Sequence, residues 1–296
     1  MLGIVGHAHG QPLHDDCGST YKDPLHFSWA RNTISHNTIT VDESCQQKAM
    51  GKVEYLSTPA SGPQVVVVSD ESAYPGVRLE RSLIFVQGIQ LLVDRATSDT
   101  EHTYDWVLTS YGKVRATSAE SRPIPPLEAT PLPESIYQNN NVQPTPPGVG
   151  YDVPRNLREM NLSGDWWIDW EDIQAPYRNK LKSPPLTMKW LCHSPNPVRV
   201  VWGDAPGLGL APGQQRWVMA RQVGTQALWV TALVPENQPA RVEAMKVVPA
   251  SMGKGIAVHL KSASSDSWVA VNWQAGESLT AGPVSTTDKV SFHATD

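Results

Sequence analysis

Ile256-Ala257-Val258-His259-Leu260-Lys261 decides the fold class. Ile256, Val258 and Leu260 share one side of a two-residue period, while Ala257, His259 and Lys261 share the other. That is the pattern of a strand with one face in a core. The same period recurs outward from this run in Asn37–Val41, Val65–Val68, Val77–Val86, Ile89–Val93, Val198–Trp202, Arg216–Arg221, Ala227–Val234 and Trp268–Trp273. Each run is bounded by Gly, Pro, Asn, Asp or Ser, which are residues that end strands in turns. Phe85–Leu91 reads as two strands closed by a tight hairpin at Gln87-Gly88. No stretch holds a helical period long enough to cross between parallel strands. The expectation is an all-β protein, a large antiparallel two-sheet β-sandwich forming a single domain over residues 1–296.

Composition narrows the function. The chain has 296 residues, with 24 basic and 29 acidic side chains and a formal charge of −5. A mildly acidic chain without Lys/Arg blocks is a poor nucleic-acid binder, because that affinity comes mainly from neutralising phosphates. No apolar run reaches the roughly 18–20 residues of a helical membrane span. Met1–His7 lacks the basic region and long apolar stretch of a signal peptide, so no export address is expected in this chain. Three well-separated cysteines, Cys17, Cys45 and Cys192, make neither a disulfide framework nor a Cys-rich zinc module.

Proline is abundant, at 25 residues, and the 11 Trp outnumber the 3 Phe. Nine prolines fall in residues 117–164, beside Asn139-Asn140-Asn141, which predicts a surface insertion without a continuous strand. It runs into Asp165-Trp166-Trp167-Ile168-Asp169-Trp170, where Trp alternates with carboxylates. Trp166, Trp167 and Trp170 are candidate substrate-binding residues, since flat indole faces stack on sugar rings. Large Trp side chains are also common in cores.

The densest reactive cluster is N-terminal. Five of the nine histidines, His7, His9, His14, His26 and His36, lie within the first 36 residues, alongside Asp15, Asp16 and Cys17. Imidazole and carboxylate together suit a divalent ion such as Zn²⁺. On a strand His7 pairs with His9, and His14 with Asp16, on a common face. His36-Asn37 opens an alternating strand, where one side chain can face a site and the next can brace a loop.

Several of these runs together resemble the heparinase II/III-like polysaccharide lyases, a family that includes alginate and oligoalginate lyases. They are Gly10–Leu13, Asp16-Cys17-Gly18 with Tyr21, Trp29-Ala30-Arg31-Asn32-Thr33, and His36-Asn37-Thr38 with Asp42. The likeness continues through Glu80–Phe85, Leu92-Val93-Asp94, Glu101–Trp106 and, downstream, Arg221 and Trp229–Pro235. It implies the C-terminal sandwich of an enzyme whose N-terminal helical toroid is not in this chain. It also implies β-elimination on a uronic-acid polysaccharide, and a periplasmic or secreted setting. By motif match Asp16 and His36 would be zinc ligands, with His9 or His14 as candidates for the ligand that the family takes from an earlier His-x-His strand. Two positions depart from the family pattern: Cys17 stands in place of a Pro, and Thr109 in place of a His.

Two functional readings follow. In one the chain is a lyase domain, with Tyr21, Arg31 and Tyr104 near the cleft as catalytic candidates and a zinc that clamps loops. Arg31 would suit a uronate carboxylate through its bidentate fork. In the other the chain is a non-catalytic carbohydrate-binding or structural module. In either case the partner is an acidic polysaccharide or oligosaccharide. A homodimer would cover the apolar surface that a toroid would otherwise cover.

Overall fold

The computed structural model describes residues 2–9, 11–18, 22–132, 145–174, 184–207, 213–236, 242–250, 253–263 and 266–295. It opens with a small hairpin of β1 (Gly6–Ala8) and β2 (Gln11–His14). A π-helical turn over His26–Ala30 and a 3₁₀ turn over Thr33–Ser35 lead into β3 (Ile39–Val41). Then follow β4 (Lys52–Ser57), β5 (Gln64–Tyr74), β6 (Val77–Val86), β7 (Ile89–Ser110), β8 (Lys113–Thr117) and β9 (Arg122–Pro123). The three longest strands of the fold's second half are β10 (Arg155–Ile173), β11 (Leu186–Gly207) and β12 (Gly213–Pro235). The chain finishes with β13 (Val242–Pro249), β14 (Gly255–Ser262), β15 (Asp266–Asn272), β16 (Leu279–Ala281), β17 (Val284–Thr286) and β18 (Val290–Thr295).

A ten-stranded antiparallel sheet runs β4-β5-β6-β7-β12-β11-β10-β8, with β3 on β7 and β9 on β10. A second, four-stranded sheet runs β13-β14-β15-β18. The two-residue period places the layers. Leu91 and Val93 of β7 join Val230, Ala232 and Val234 of β12 against Ile256, Val258 and Leu260 of β14 and Val269 and Val271 of β15. Leu92, between them, faces the opposite side of the large sheet and joins a core built around Trp106, Trp170, Trp190 and Trp229. The Trp170 and Trp190 rings lie 4.7 Å apart, and Trp106 meets Trp190 edge-on at 6.4 Å. Trp29, Cys17, Ile34, Tyr151 and Trp217 form a third cluster under the N-terminal segment.

The β6–β7 turn shows how local chemistry sets register. Gln87 and Gly88 both take positive φ, 50° and 75°, and Val86 pairs directly with Ile89, as a two-residue hairpin requires. A buried ion pair ties the sheets together. The Lys289 ammonium, just before β18, donates to both Glu80 oxygens on β6 at 3.1 Å.

The Pro-rich stretch departs from the expectation in two places. Strand β10 begins at Arg155 and runs through residue 164, because Pro154 is the last proline and the residues beyond it pair with β11. Val149, Gly150 and Tyr151 are buried, not laid over the surface: the Tyr151 hydroxyl donates to Asp105 at 2.6 Å. Residues 133–144, including the Asn run, lie outside the described residues.

Candidate metal centre and its surroundings

Asp16 sits in a tight turn after β2. Its Oδ1 accepts the Gly18 N–H at 3.1 Å, and Gly18 takes φ +71°, a conformation that glycine adopts without steric cost. Twenty residues on, the 3₁₀ turn hands the chain to His36, whose extended backbone aims the ring back at that turn. His36 Nδ1 meets Asp16 Oδ2 at 2.7 Å. The next residue points the other way and acts as a brace. Asn37, 1% exposed, donates from Nδ2 to the Ile4 carbonyl at 2.8 Å and the Asp15 carbonyl at 3.0 Å. Its Oδ1 accepts the Thr109 N–H at 2.7 Å. Thr109 closes the brace by donating its hydroxyl to the Asp15 carbonyl, so it holds the Asp16 turn through backbone contacts.

Behind Asn37 lies a charged node. Arg81 and Asp94 are each 1% exposed. The guanidinium forks onto the Asp94 carboxylate and also donates to the carbonyls of Leu2 and, at 2.7 Å, Asn37. Trp106 Nε1 donates to the same carboxylate at 2.7 Å. The brace is therefore anchored in the large sheet rather than in the loop itself.

Cys17 completes the group. The ligand atoms of Asp16, Cys17 and His36 lie within 4.8 Å of one another. The thiol is fully buried and donates to the Ser35 hydroxyl and the Gly18 carbonyl at 3.3 Å. Burial pushes its pKa up to about 12, with the neighbouring Asp16 charge in support. Burial also opposes ionisation of Asp16, but the hydrogen bond and charge of His36, with the Gly18 N–H, hold that carboxyl below the usual range. An imidazole, a carboxylate and a thiol meeting at one point make a mixed N/O/S set. Zinc accepts such a set with bonds of about 2.0–2.3 Å.

The other expected site residues fall elsewhere. His14 is buried against Gln90, its ring nitrogen 2.7 Å from Oε1, and does not join the Asp16–Cys17–His36 group. Its pairing in β1–β2 turns it inward, and desolvation lowers its pKa to about 4. His9 sits exposed at the tip of the β1–β2 turn, with φ 49°, also outside the group. Tyr104, a candidate base, is fully buried, because residues 104, 106 and 108 of β7 all face the core. Burial raises its pKa to about 12, with the Asp42 charge adding to the shift. A phenol sealed in this way cannot reach substrate. Arg31 is exposed at the end of the π-helical turn, 5.3 Å over the Phe27 ring. Tyr21 lies outside the described residues.

The Trp run is corrected by strand alternation. Trp166 and Trp170 point into the core at 2% and 0% exposure, so neither offers a face to a sugar. Trp167, on the opposite face, is partly buried against the core between the two sheets, with the Lys189 ammonium 4.4 Å from its ring centre.

A family profile described as heparinase II/III-like, C-terminal, matches residues 3–171, which is more than half of the chain and includes Asp16, Cys17 and His36. The chain belongs to the heparinase II/III-like C-terminal family. Solved heparinase III structures share the fold. One heparinase III gene product superposes with a TM-score of 0.52 at 14% identity, covering 96% of this chain and 34% of that one. A second heparinase III structure gives 0.51 at 14%, covering 89% and 34%. A mutant of the heparan sulfate lyase HepC from Pedobacter heparinus gives 0.50 at 12%, covering 89% and 35%. The heparinase-like chain thus spans about a third of the length of the structures it matches. No curated protein matches it in sequence.

Sequence reasoning left Cys17 out of the ligand set. The signal lay in plain view, as a soft donor next to the turn carboxylate, but only the burial of residues 17 and 35 on one side of the turn brings the thiol to His36.

Proposed function

We propose that the chain is the sandwich portion of a polysaccharide lyase that cleaves a uronic-acid-containing polymer by β-elimination. Its Asp16, Cys17 and His36 hold a zinc ion beside the cleft. The observation that carries the reading is the convergence of Asp16 and His36, twenty residues apart, within the segment that matches the heparinase II/III-like family. The zinc serves as a clamp: it would lock the turn after β2 onto the start of β3, a junction that Asn37 and Thr109 already brace from behind.

β-Elimination needs a neutralised uronate carboxylate, a base for the C5 proton and an acid for the departing oxygen. Arg31, exposed beside the third core cluster, supplies the fork for the carboxylate. Tyr21 is the remaining candidate from this chain for proton transfer, since Tyr104 is sealed. The test is ultraviolet absorbance during incubation with heparan sulfate, alginate and glucuronan. A growing unsaturated-uronate signal that Arg31→Ala depresses supports the lyase, and no signal from any acidic polymer refutes it.

A second reading is favoured by one observation. Tyr104 is withdrawn into the core, and Tyr111, whose hydroxyl shares the Gln215 amide with the Asp16 carbonyl, is 1% exposed. A non-catalytic carbohydrate-binding module fits that arrangement. Saturable binding of the same polymers without the absorbance change selects it.

A further inference from the structure

Between the large sheet and the edge of the small one lies a cavity of about 500 Å³, remote in sequence from the candidate metal centre. Its walls include Arg95 of β7, Asn196 of the β11 bulge, Thr225 and Gln226 of β12, and Trp273 after β15. We propose that this cavity binds an anionic sugar, with Arg95 gripping the carboxylate or sulfate and Trp273 supporting the ring.

The argument starts from an arginine whose charge is not matched. Arg95 stands directly across the β6–β7 pair from Glu80. Both Glu80 oxygens, however, are taken by Lys289 at 3.1 Å, and Arg78 adds a contact at 3.3 Å. Among the described residues Arg95 makes no ion pair or hydrogen bond through its guanidinium. Its one close partner is the Trp273 ring, 5.0 Å from the guanidinium carbon. Desolvation makes the charged form less comfortable than usual and Arg78 adds to this, while the Glu80 charge across the pair offsets only part of it. An anion delivered to the cavity would relieve both.

A second arginine-rich cavity, of about 510 Å³, shows what a satisfied site looks like. There Arg122 and Arg199 share Glu159, and Arg221 forks onto Asp105 and reaches Glu43. Its cations are neutralised within the chain and leave no charge for a ligand. The Arg95 cavity lacks such a carboxylate and adds features that suit a sugar. Trp273 and the prolines at 195 and 197 give apolar surface, while Asn196, Thr225 and Gln226 offer hydrogen bonds to hydroxyls. A guanidinium stacked on indole keeps its in-plane N–H fork free for a planar or tetrahedral anion. The identity of the ligand as a sugar rests on the polysaccharide reading above; the need for an anion does not.

The test is isothermal titration of the full chain with three hexasaccharides: a heparin fragment carrying sulfates, an alginate fragment carrying carboxylates only, and neutral maltohexaose. Binding of one or both acidic probes, weakening with added salt and absent for the neutral one, is expected. Arg95→Gln should weaken it by about tenfold or more, the usual loss for one charge-assisted contact. Thr225→Glu, on the exposed bulge of β12, places a repelling carboxylate at the rim without touching the core and should weaken binding comparably. It keeps the proposal testable if Arg95→Gln melts early. Wild-type affinity in Thr225→Glu, or equal binding of maltohexaose, overturns the site. Arg95-dependent binding in a chain that forms no unsaturated product keeps the site and removes the lyase reading. Product formation with binding indifferent to both variants does the reverse.

Discussion

Replacing Asp94 by Asn changes almost no volume, yet it should be among the most damaging single substitutions in this fold. Asp94 is 1% exposed and accepts hydrogen bonds from the Arg81 fork and from Trp106 Nε1. The amide removes the negative charge and leaves the Arg81 guanidinium, also 1% exposed, as an uncompensated cation in the core. Breaking a buried ion pair from one side costs about 3–5 kcal/mol. The Asn oxygen still accepts from Trp106, so about 3 kcal/mol is the expected loss. For a chain this long, that lowers the Tm by roughly 6–12 °C. Differential scanning calorimetry at neutral pH measures it. Arg81→Met and the double variant Arg81→Met/Asp94→Leu complete a cycle, in which the double should cost clearly less than the two singles summed. Because Arg81 also holds the Asn37 carbonyl, Asp94→Asn should weaken metal affinity at Asp16 and His36 as well. A Tm loss equivalent to less than about 1 kcal/mol, or strict additivity in the cycle, refutes the role given to this node.

Other predictions concern separate links. His14 has a folded pKa of about 4, below its unfolded value of 6.5, so the unfolded chain takes up the proton first. The stability tied to it is complete above about pH 6.5 and falls by about 3 kcal/mol as pH drops towards 4. Urea titrations across that range should show the slope, and His14→Gln should flatten it. Trp170→Ala should cost about 3–5 kcal/mol by thermal melting, because it empties a site packed against Trp190. Trp167→Ala, which trims a ring only partly buried against the inter-sheet core, should cost less, about 1–3 kcal/mol. Lys289→Met removes the cation that holds both Glu80 oxygens and leaves that carboxylate the Arg78 contact. It should lower protection from hydrogen exchange first in β14, β15 and β18, before the large sheet responds.

The strand content and the β6–β7 hairpin were legible because both are local. Alternation and the Gln87-Gly88 pair need no knowledge of distant partners. The length of β7, β11 and β12 was not. Val198–Trp202 is only the most regular part of β11, whose register shifts between His193 and Arg199, and such bulges break the two-residue period without ending the strand. The Trp run failed for a related reason. Alternation says that Trp166 and Trp170 share a face opposite Trp167, but it cannot say which face is buried when carboxylates and indoles mix. At the candidate metal centre, Asp16 and His36 were readable from motif likeness, and the structure brings them together at 2.7 Å. Cys17 was visible beside Asp16, but that its thiol, rather than His9 or His14, lies near His36 depends on tertiary burial. The direction of β2 turns His14 into the Gln90 pocket, a tertiary fact that depends on β7. The unmatched charge of Arg95 was equally hidden, since it arises from Lys289 capturing Glu80 more than two hundred residues away in sequence.

The most direct test of the metal centre is to load the purified chain with cobalt(II) and record its absorption spectrum beside those of Cys17→Ser and His36→Ala. Intense tetrahedral d–d bands with a thiolate-to-cobalt charge-transfer band should appear in the wild type. Cys17→Ser should lose only the charge-transfer band, and His36→Ala should lose cobalt altogether. A chain that takes up no stoichiometric cobalt or zinc, or whose spectrum is the same in all three proteins, contradicts the convergence of the turn, the thiol and the imidazole on one ion.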